Sequence, residues 1–186
     1  MTRVTLLGAD GAPITREARS FLSGKVDLVV DSDERVSLAT LQAARPDVIL
    51  SAAHHYVIGP KMRATARLGA VGLHPSLLPA YRGSYPLWWA LRAGEREVGL
   101  SLYHLVDAMD AGAVIGQYRV PVGRLRFAAL YERVAALVPI ALGDLLQAIE
   151  QTGAIPEGTP QDGEYRTYPT PPRMMRAMMK ARWALR

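Results

Sequence analysis

Residues 69–122 of this chain read GAVGLHPSLLPAYRGSYPLWWALRAGEREVGLSLYHLVDAMDAGAVIGQYRVPV, and their pattern decides the fold. A short apolar run ends at Leu73, a loop bracketed by prolines follows, and two longer apolar runs then predict strands. A loop that follows a parallel strand lies at the carboxyl edge of the sheet, where open α/β folds place their sites. His74 begins this loop, and an imidazole can change its charge near neutral pH. The stretch therefore predicts an α/β fold with His74 at the edge that carries the site. There an imidazole can act as an acid, a base or an oxyanion donor, although a loop histidine by itself is more often a structural or surface residue.

The rest of the chain continues the alternation of apolar runs and helical patterns, which predicts a mostly parallel sheet covered by helices on both faces. The predicted strands are residues 4–7, 26–30, 48–52, 71–73, 99–105 and 114–120. The predicted helices are residues 37–44, 61–68, 85–92 and 127–149, the last of them bent at Pro139. We expect residues 1–150 to form a single three-layer, Rossmann-like domain, and residues 151–186 to form an extended arm with a terminal helix.

The composition limits the classes of protein to which the chain can belong. Its 186 residues, 49% of them hydrophobic, fit one domain that buries its own core. The chain has no cysteine, which excludes disulfides, a thiolate nucleophile and a zinc–thiolate site, and we expect no metal. The first ten residues contain too few consecutive apolar positions for a signal peptide or a membrane span. These features predict a cytoplasmic protein.

The net charge of +5 is concentrated at the carboxyl end of the chain. Residues 165–186 contain six basic residues and no acidic one, so that 22 basic residues less these 6 leaves 16 against 17 acidic. The remainder is nearly neutral and need not bind a polyanion. Residues 173–186 place methionines at four-residue spacing opposite basic residues, which predicts a basic amphipathic helix. We expect this helix to dock on the domain or on a second copy in a homodimer, with a membrane or nucleic acid as the alternative partner.

Two separated blocks of sequence resemble a known family. HPSLLPAYRG at 74–83 with PLWWA at 86–90, and GLSLYHLVDAMDAGAVI at 99–115, resemble the signature region of the folate-dependent formyltransferases. The Arg-Gly-x-x-Pro pattern with its later Trp-Ala pair is closer to the methionyl-tRNA and sugar branch than to the purine enzyme. The resemblance covers about residues 46–122. It implies the formyltransferase fold, shortened at the amino terminus by one βα unit, with 10-formyltetrahydrofolate as co-substrate.

The resemblance also implies a set of reacting residues. The family uses an asparagine, a histidine two positions later and a distant aspartate. His74 matches the histidine, Asp110 matches the aspartate, and Gly72 stands where the asparagine is expected. In the family pattern the histidine and the asparagine donate hydrogen bonds to the formyl oxygen, while the aspartate orients the imidazole. The missing donor is expected to be the backbone N–H of Gly72, His54 or His55, or a water.

Further contacts are predicted on the loops that surround this trio. The sequence AHHYVIGP at 53–60 resembles the family loop that lines the folate pocket, and residues 106–111 resemble the loop that binds the pterin ring. The predicted co-substrate contacts are Tyr56, Val57, Ile58, Val106, Asp107, Ala108 and Met109. The predicted acceptor contacts are Gly72, Ser76, Arg82 and Gly83. Asp107 is equally well explained as a turn-forming acid.

The predicted function is transfer of a formyl group from 10-formyltetrahydrofolate to the amino group of a small metabolite. An amino sugar, an amino acid or a natural-product precursor would serve as acceptor. Transfer RNA is not expected as a substrate, because the domain with which the tRNA-acting branch grips it is not expected in this chain. The alternatives are a hydrolase or another one-carbon or acyl transferase that uses the same His–Asp pair, and a non-catalytic protein that binds folate.

Overall fold

The computed structural model describes residues 1–31 and 36–168 of the chain. Its strands are β1 (Arg3–Gly8), β2 (Asp27–Asp31), β3 (Val48–Ala52), β4 (Gly69–His74), β5 (Arg82–Gly83), β6 (Glu97–His104), β7 (Val114–Pro121) and β8 (Tyr165–Arg166). Its helices are α1 (Pro13–Leu22), α2 (Leu38–Ala44), α3 (Pro60–Arg63), α4 (Pro86–Ala93), α5 (Phe127–Ala135) and α6 (Val138–Thr152). Every predicted strand of the main sheet is present, with bounds that lie within two residues of those expected.

Six of these strands form one sheet in the order β2-β1-β3-β4-β6-β7. The first four run parallel, and β6 and β7 each run antiparallel to the preceding neighbour. Alternate residues of β1 face opposite layers: Val4 and Leu6 join the large core cluster, while Leu7 joins the smaller one. Helices α1, α5 and α6 supply buried residues to the large cluster, and α2 supplies Leu41 to the smaller one. The predicted fold class, α/β with a mostly parallel sheet between helical layers, is confirmed.

Three helices differ from the predictions, each for a local reason. The helix predicted at 61–68 ends at Arg63, because the residues after it make i→i+3 turns. Residues 67 and 68 then donate backbone hydrogen bonds to Pro46 and Asp47, just before β3. The long helix is interrupted between α5 and α6, and Pro139 lies in the first turn of α6, where its missing N–H breaks no helical bond. Helix α1 was not predicted, although its buried Ile14, Ala18 and Leu22 repeat every four residues.

The arm that follows α6 makes backbone hydrogen bonds with β7 and with β5. Thr159 exchanges backbone hydrogen bonds of 2.7 and 2.8 Å with Val114, and β8 pairs in parallel with β5. These backbone hydrogen bonds hold the segment that follows α6 against the main sheet and β5. The predicted amphipathic helix at 173–186 lies outside the described residues. Within the described ranges, no helix has the length and apolar character needed to cross a membrane.

Asp47 links the first residue of β1 to the segment before β4 through hydrogen bonds of its carboxylate. One carboxylate oxygen accepts the Arg3 backbone N–H at 2.8 Å and the other accepts Arg67 Nε at 2.5 Å. Both bonds lower the pKa of Asp47 below its ordinary value of 3.8, and the bond from the Arg3 N–H has the larger effect. A lowered folded-state pKa contributes stability above the unfolded pKa, and this stability is lost as the pH falls through the folded value.

We therefore expect Asp47→Asn to lower the free energy of unfolding at pH 7 by about 1–2 kcal/mol. Denaturant unfolding at several pH values measures the effect, which should shrink below about pH 4 as the wild-type carboxylate is protonated. Asp27→Asn is the control, because Asp27 pairs with Arg3 Nε at the surface, where ion pairs contribute little. A difference that stays constant down to pH 2 would contradict the assignment.

Candidate active site

The carboxyl end of β4 places His74 inside the protein, with only 6% of its surface exposed. Its Nε2 lies 3.0 Å from the carbonyl oxygen of Tyr81, and its Nδ1 lies 3.5 Å from Oδ2 of Asp110. A carbonyl can only accept a hydrogen bond, so the proton of the first contact is assigned to Nε2. Nδ1, which faces the carboxylate, is therefore the ring atom left to gain or lose a proton.

Asp110 is held by hydrogen bonds from three sides. Its Oδ1 accepts the hydroxyl of Tyr103 at 2.6 Å, its Oδ2 accepts the backbone N–H of Gly83 at 2.9 Å, and its backbone carbonyl accepts Gln161 Nε2 at 3.1 Å. Its φ of 52° lies in the left-handed region, which a residue other than glycine adopts at a cost. The surrounding bonds maintain this conformation and keep Oδ2 directed at His74.

Tyr103 of β6 was not among the predicted site residues. It lies opposite Gly72 in the β4–β6 register and is 5% exposed. Burial, together with the nearby Asp110 carboxylate, raises the pKa of Tyr103 well above its usual value, so the phenol stays neutral and donates. Gly72 is buried in β4, which lies between β3 and β6. This burial corrects the expectation that the backbone N–H of Gly72 is exposed for a substrate.

A cavity of about 580 Å³ opens beside the His–Asp pair, within the usual range for ligand sites. All seven predicted co-substrate contacts line it. Arg63 joins the two loops that carry them, because its Nη1 donates to the Ile58 carbonyl at 2.6 Å and its Nη2 to Asp107 at 2.5 Å. The sequence analysis missed Arg63, whose role requires the two distant loops to be adjacent.

The predicted acceptor contacts have different positions. Gly83 lines the cavity, whereas Gly72, Ser76 and Arg82 are not among the described residues that do. Ser76 donates its hydroxyl to the Ala80 carbonyl at 2.7 Å and so stabilises its own loop. Arg82 donates to the carbonyls of Gly163 at 2.6 Å and Met109 at 3.0 Å. In this structure, Ser76 therefore braces its own loop, and the two Nη atoms of Arg82 join the arm to Met109. The Nε of Arg82 is buried without a hydrogen-bond partner among the described residues.

Both histidines considered as replacement donors, His54 and His55, line the cavity. Their loop begins at Ala53, whose φ of 58° is again left-handed. The described residues include no group of three or more histidines and carboxylates that could hold a metal ion.

One feature of the cavity that the sequence analysis did not predict is a set of aromatic side chains. They are Tyr85, Phe127, Tyr131, Tyr165 and Tyr168. The rings of Tyr85 and Tyr168 are 5.4 Å apart, and those of Phe127 and Tyr131 are 6.4 Å apart. Tyr165 and Tyr168 belong to the arm, so that residues about 90 positions after His74 complete the cavity. Such rings pack well against flat or apolar ligand groups.

Comparison with known sequences gives consistent matches. The family model described as "Formyl transferase" matches residues 30–143. A methionyl-tRNA formyltransferase of Treponema pallidum is 32% identical over 156 residues, which is 83% of this chain and 46% of that protein. A methionyl-tRNA formyltransferase of Thermotoga maritima is 35% identical over 137 residues, which is 73% of this chain and 43% of that protein. The chain thus spans about half the length of the curated relatives it matches.

Comparison with solved structures identifies the same architecture. HypX from Aquifex aeolicus in complex with tetrahydrofolic acid gives a TM-score of 0.79 at 22% identity, covering 90% of this chain and 30% of that one. The formyltransferase PseJ from Anoxybacillus kamchatkensis, in complex with UDP-4,6-dideoxy-4-formamido-L-AltNAc and tetrahydrofolate, gives 0.72 at 23% identity, covering 89% and 85%. At these identities the likeness concerns the fold.

Proposed function

Because the chain belongs to the formyl transferase family, we propose that it transfers a formyl group from 10-formyltetrahydrofolate to the amino group of a small metabolite. The observation that carries this proposal is the His74–Asp110 pair, which faces the cavity that the predicted co-substrate contacts line. In the reaction, a bond forms between the acceptor nitrogen and the formyl carbon, and the bond from that carbon to the folate nitrogen breaks. One proton of the acceptor amine passes to the folate nitrogen, and tetrahydrofolate leaves.

The chemistry of the cavity walls fits the proposed co-substrate. Val57, Val106 and Met109 expose 62%, 42% and 39% of their surfaces in this structure, and a bound pterin ring would cover such apolar groups. The resemblance implies that backbone groups of the 106–110 turn would bind the edge of the pterin ring. When bound, 10-formyltetrahydrofolate supplies a formyl group already attached to nitrogen. The names of the HypX and PseJ complexes, which include tetrahydrofolate, support this assignment.

Each residue of the pair has a distinct proposed role. The His74 ring, when protonated, stabilises the negative charge that develops on the formyl oxygen. Asp110 orients the ring and accepts, through a water, the proton that the acceptor nitrogen loses. Gly72 has no side-chain amide to donate a hydrogen bond to the formyl oxygen, and the loss of one such donor typically costs a factor of about 10² to 10³ in rate. His54 and His55, which line the cavity, are the candidates to supply a replacement.

The acceptor is proposed to be a small amine because the aromatic side chains form part of the same cavity as His74 and Asp110. The curated relatives are named methionyl-tRNA formyltransferases, so the expectation that tRNA is not a substrate is not confirmed and stays a prediction. The division at residue 150, the cytoplasmic location and a homodimer formed through the terminal segment likewise stay predictions.

The proposal is tested by incubating the full chain with 10-formyltetrahydrofolate and a panel of amino sugars, amino acids and methionyl-tRNA. We expect tetrahydrofolate to form only when an acceptor is present, with the formylated small amine identified by mass spectrometry. Formate released without an acceptor would indicate a hydrolase instead. Formylation of methionyl-tRNA alone would overturn the small-molecule assignment. Folate binding without turnover of any acceptor would indicate a non-catalytic protein.

A further inference from the structure

We propose that Tyr103 is a positioning residue of this site, whose ring occupies the space beside Gly72 and whose hydroxyl holds Asp110 against His74. Its consequence for catalysis rests on the proposed formyl transfer, whereas its structural part can be tested separately. Gly72 and Tyr103 are direct partners in the antiparallel β4–β6 register. Directly opposed residues on neighbouring strands have side chains on the same face of the sheet, where they contact each other.

The steric part of the inference follows from the space above Gly72. A Cβ built on Gly72 would lie 2.7 Å from three atoms of the Tyr103 ring and hydroxyl. This is well inside the van der Waals distance between carbon atoms, about 3.5–4.0 Å. Any side chain at position 72, including the asparagine of the family pattern, therefore requires Tyr103 to move. In this conformation Tyr103 excludes a side chain at position 72, which gives a physical reason for the absence of the family asparagine.

The hydrogen-bonding part follows from the single proton of a phenol. The Tyr103 hydroxyl donates that proton to Asp110 Oδ1 at 2.6 Å, so in this arrangement it has none left for a formyl oxygen. Tyr103 consequently acts through Asp110 and does not replace the amide donor directly. Its ring also meets the His74 ring edge to face, with centroids 6.4 Å apart. The tyrosine thus contacts both members of the pair.

Tyr103 controls one of the two bonds that fix the Asp110 carboxylate. Without its hydroxyl, the carboxylate keeps the Gly83 N–H as its hydrogen-bond donor among the described residues, and it becomes free to rotate away from Nδ1 of His74. A misplacement of about 1 Å in a reacting constellation can lower the rate by about 10²-fold. The hydroxyl is therefore expected to affect turnover more than substrate binding.

A second tyrosine–aspartate pair in the chain supplies a matched control. The Tyr118 hydroxyl donates to Asp144 Oδ2 at 2.7 Å, nearly the same length, and neither residue is among those that line the cavity. Tyr103→Phe and Tyr118→Phe each remove one hydroxyl and keep the ring. We expect Tyr103→Phe to lower kcat by about 10- to 100-fold with KM nearly unchanged, and to alter the pH dependence of kcat. Tyr118→Phe should retain wild-type kinetics.

The steric part has its own pair of variants. Gly72→Ala should lower both the melting temperature and kcat, because its Cβ displaces the Tyr103 ring. Gly143→Ala is the control, since a Cβ there meets Phe21 at an ordinary 3.7 Å in the middle of α6. Wild-type melting and turnover in Gly72→Ala would overturn the interlocking of the two residues. If Gly72→Ala does not fold, that failure agrees with the clash, and Tyr103→Phe still decides the positioning role.

A crystal structure of Tyr103→Phe separates this inference from the proposed function. We expect the Asp110 carboxylate to have rotated and its oxygen to lie farther from His74 Nδ1 than the present 3.5 Å. An unmoved carboxylate with wild-type kinetics would overturn the positioning role. If the wild-type chain transfers no formyl group to any acceptor, the proposed function fails, and the carboxylate position in the variant alone decides the inference.

Discussion

Replacing His74 with alanine should lower kcat/KM for formyl transfer by about 10²- to 10⁴-fold, the usual contribution of a positioned acid or base. The reason is that His74 is the only described side chain that faces Asp110 with a titratable ring nitrogen, 3.5 Å from the carboxylate. The buried ring also bonds the Tyr81 carbonyl, so the variant leaves that acceptor unpaired. We therefore expect a loss of about 1–3 kcal/mol in the free energy of unfolding as well.

His104→Ala separates the two effects. The ring of His104 is 2.7 Å from the Pro156 carbonyl, a bond of the same kind, and His104 is not among the residues that line the cavity. We expect the His104→Ala variant to have a lower free energy of unfolding than the wild type and an unchanged kcat/KM. Steady-state kinetics and thermal unfolding of the two variants measure both quantities. Equal activity losses in the two variants would show that His74 acts only by supporting the fold.

Asp110→Asn should cause a loss of about 10²- to 10⁴-fold in kcat/KM while preserving the size of the side chain. The amide has one oxygen, so one of its two donors, the Tyr103 hydroxyl or the Gly83 N–H, must face an NH₂ group. The ring of His74 also loses the negative charge beside Nδ1. The proton transfer assigned to Asp110 would then lack its carboxylate, so the pH dependence of kcat/KM should change.

The matched control is Asp144→Asn, which breaks the Tyr118–Asp144 pair outside the cavity. Kinetics from pH 5 to pH 9 should show an unaltered profile for Asp144→Asn and an altered one for Asp110→Asn. An Asp110→Asn profile that overlays that of the wild type would remove the carboxylate from the proton transfer.

Much of the fold was predictable because local periodicity is enough to identify buried strands. The run VILSA at 48–52 is apolar except for one serine, and GLSLYHL at 99–105 has a leucine at every second or third position. These runs became β3 and β6 in the middle of the sheet. Helix ends were less predictable. The stop at Arg63 depends on the contacts that Arg67 and Leu68 make with Pro46 and Asp47. The break before α6 depends on a backbone turn at residues 134–137, and residue type reports neither feature.

The residues of the site were predictable to the extent that they lie in the two signature blocks. His74, Asp110 and the 106–111 loop were recognised there, the 53–60 loop was recognised by its own resemblance, and in the structure all of them line one cavity. Tyr103 also lies in a signature block, but its alternating position on β6 suggested nothing beyond a strand residue. The fact that Gly72 lacks a side chain was the available signal, since a glycine inside a strand often marks the close approach of another group.

The amino-acid sequence alone determined the class of fold and indicated the edge of the sheet for the predicted site, and the resemblance of its signature blocks pointed to the imidazole and the carboxylate. These follow from local patterns, in which each residue is read against its near neighbours. The tertiary structure decided what lies between distant segments: the tyrosine that excludes a side chain at position 72, and the arm that adds Tyr165 and Tyr168 to the cavity. Strand register and chain return create these contacts, and neither leaves a local pattern in the sequence.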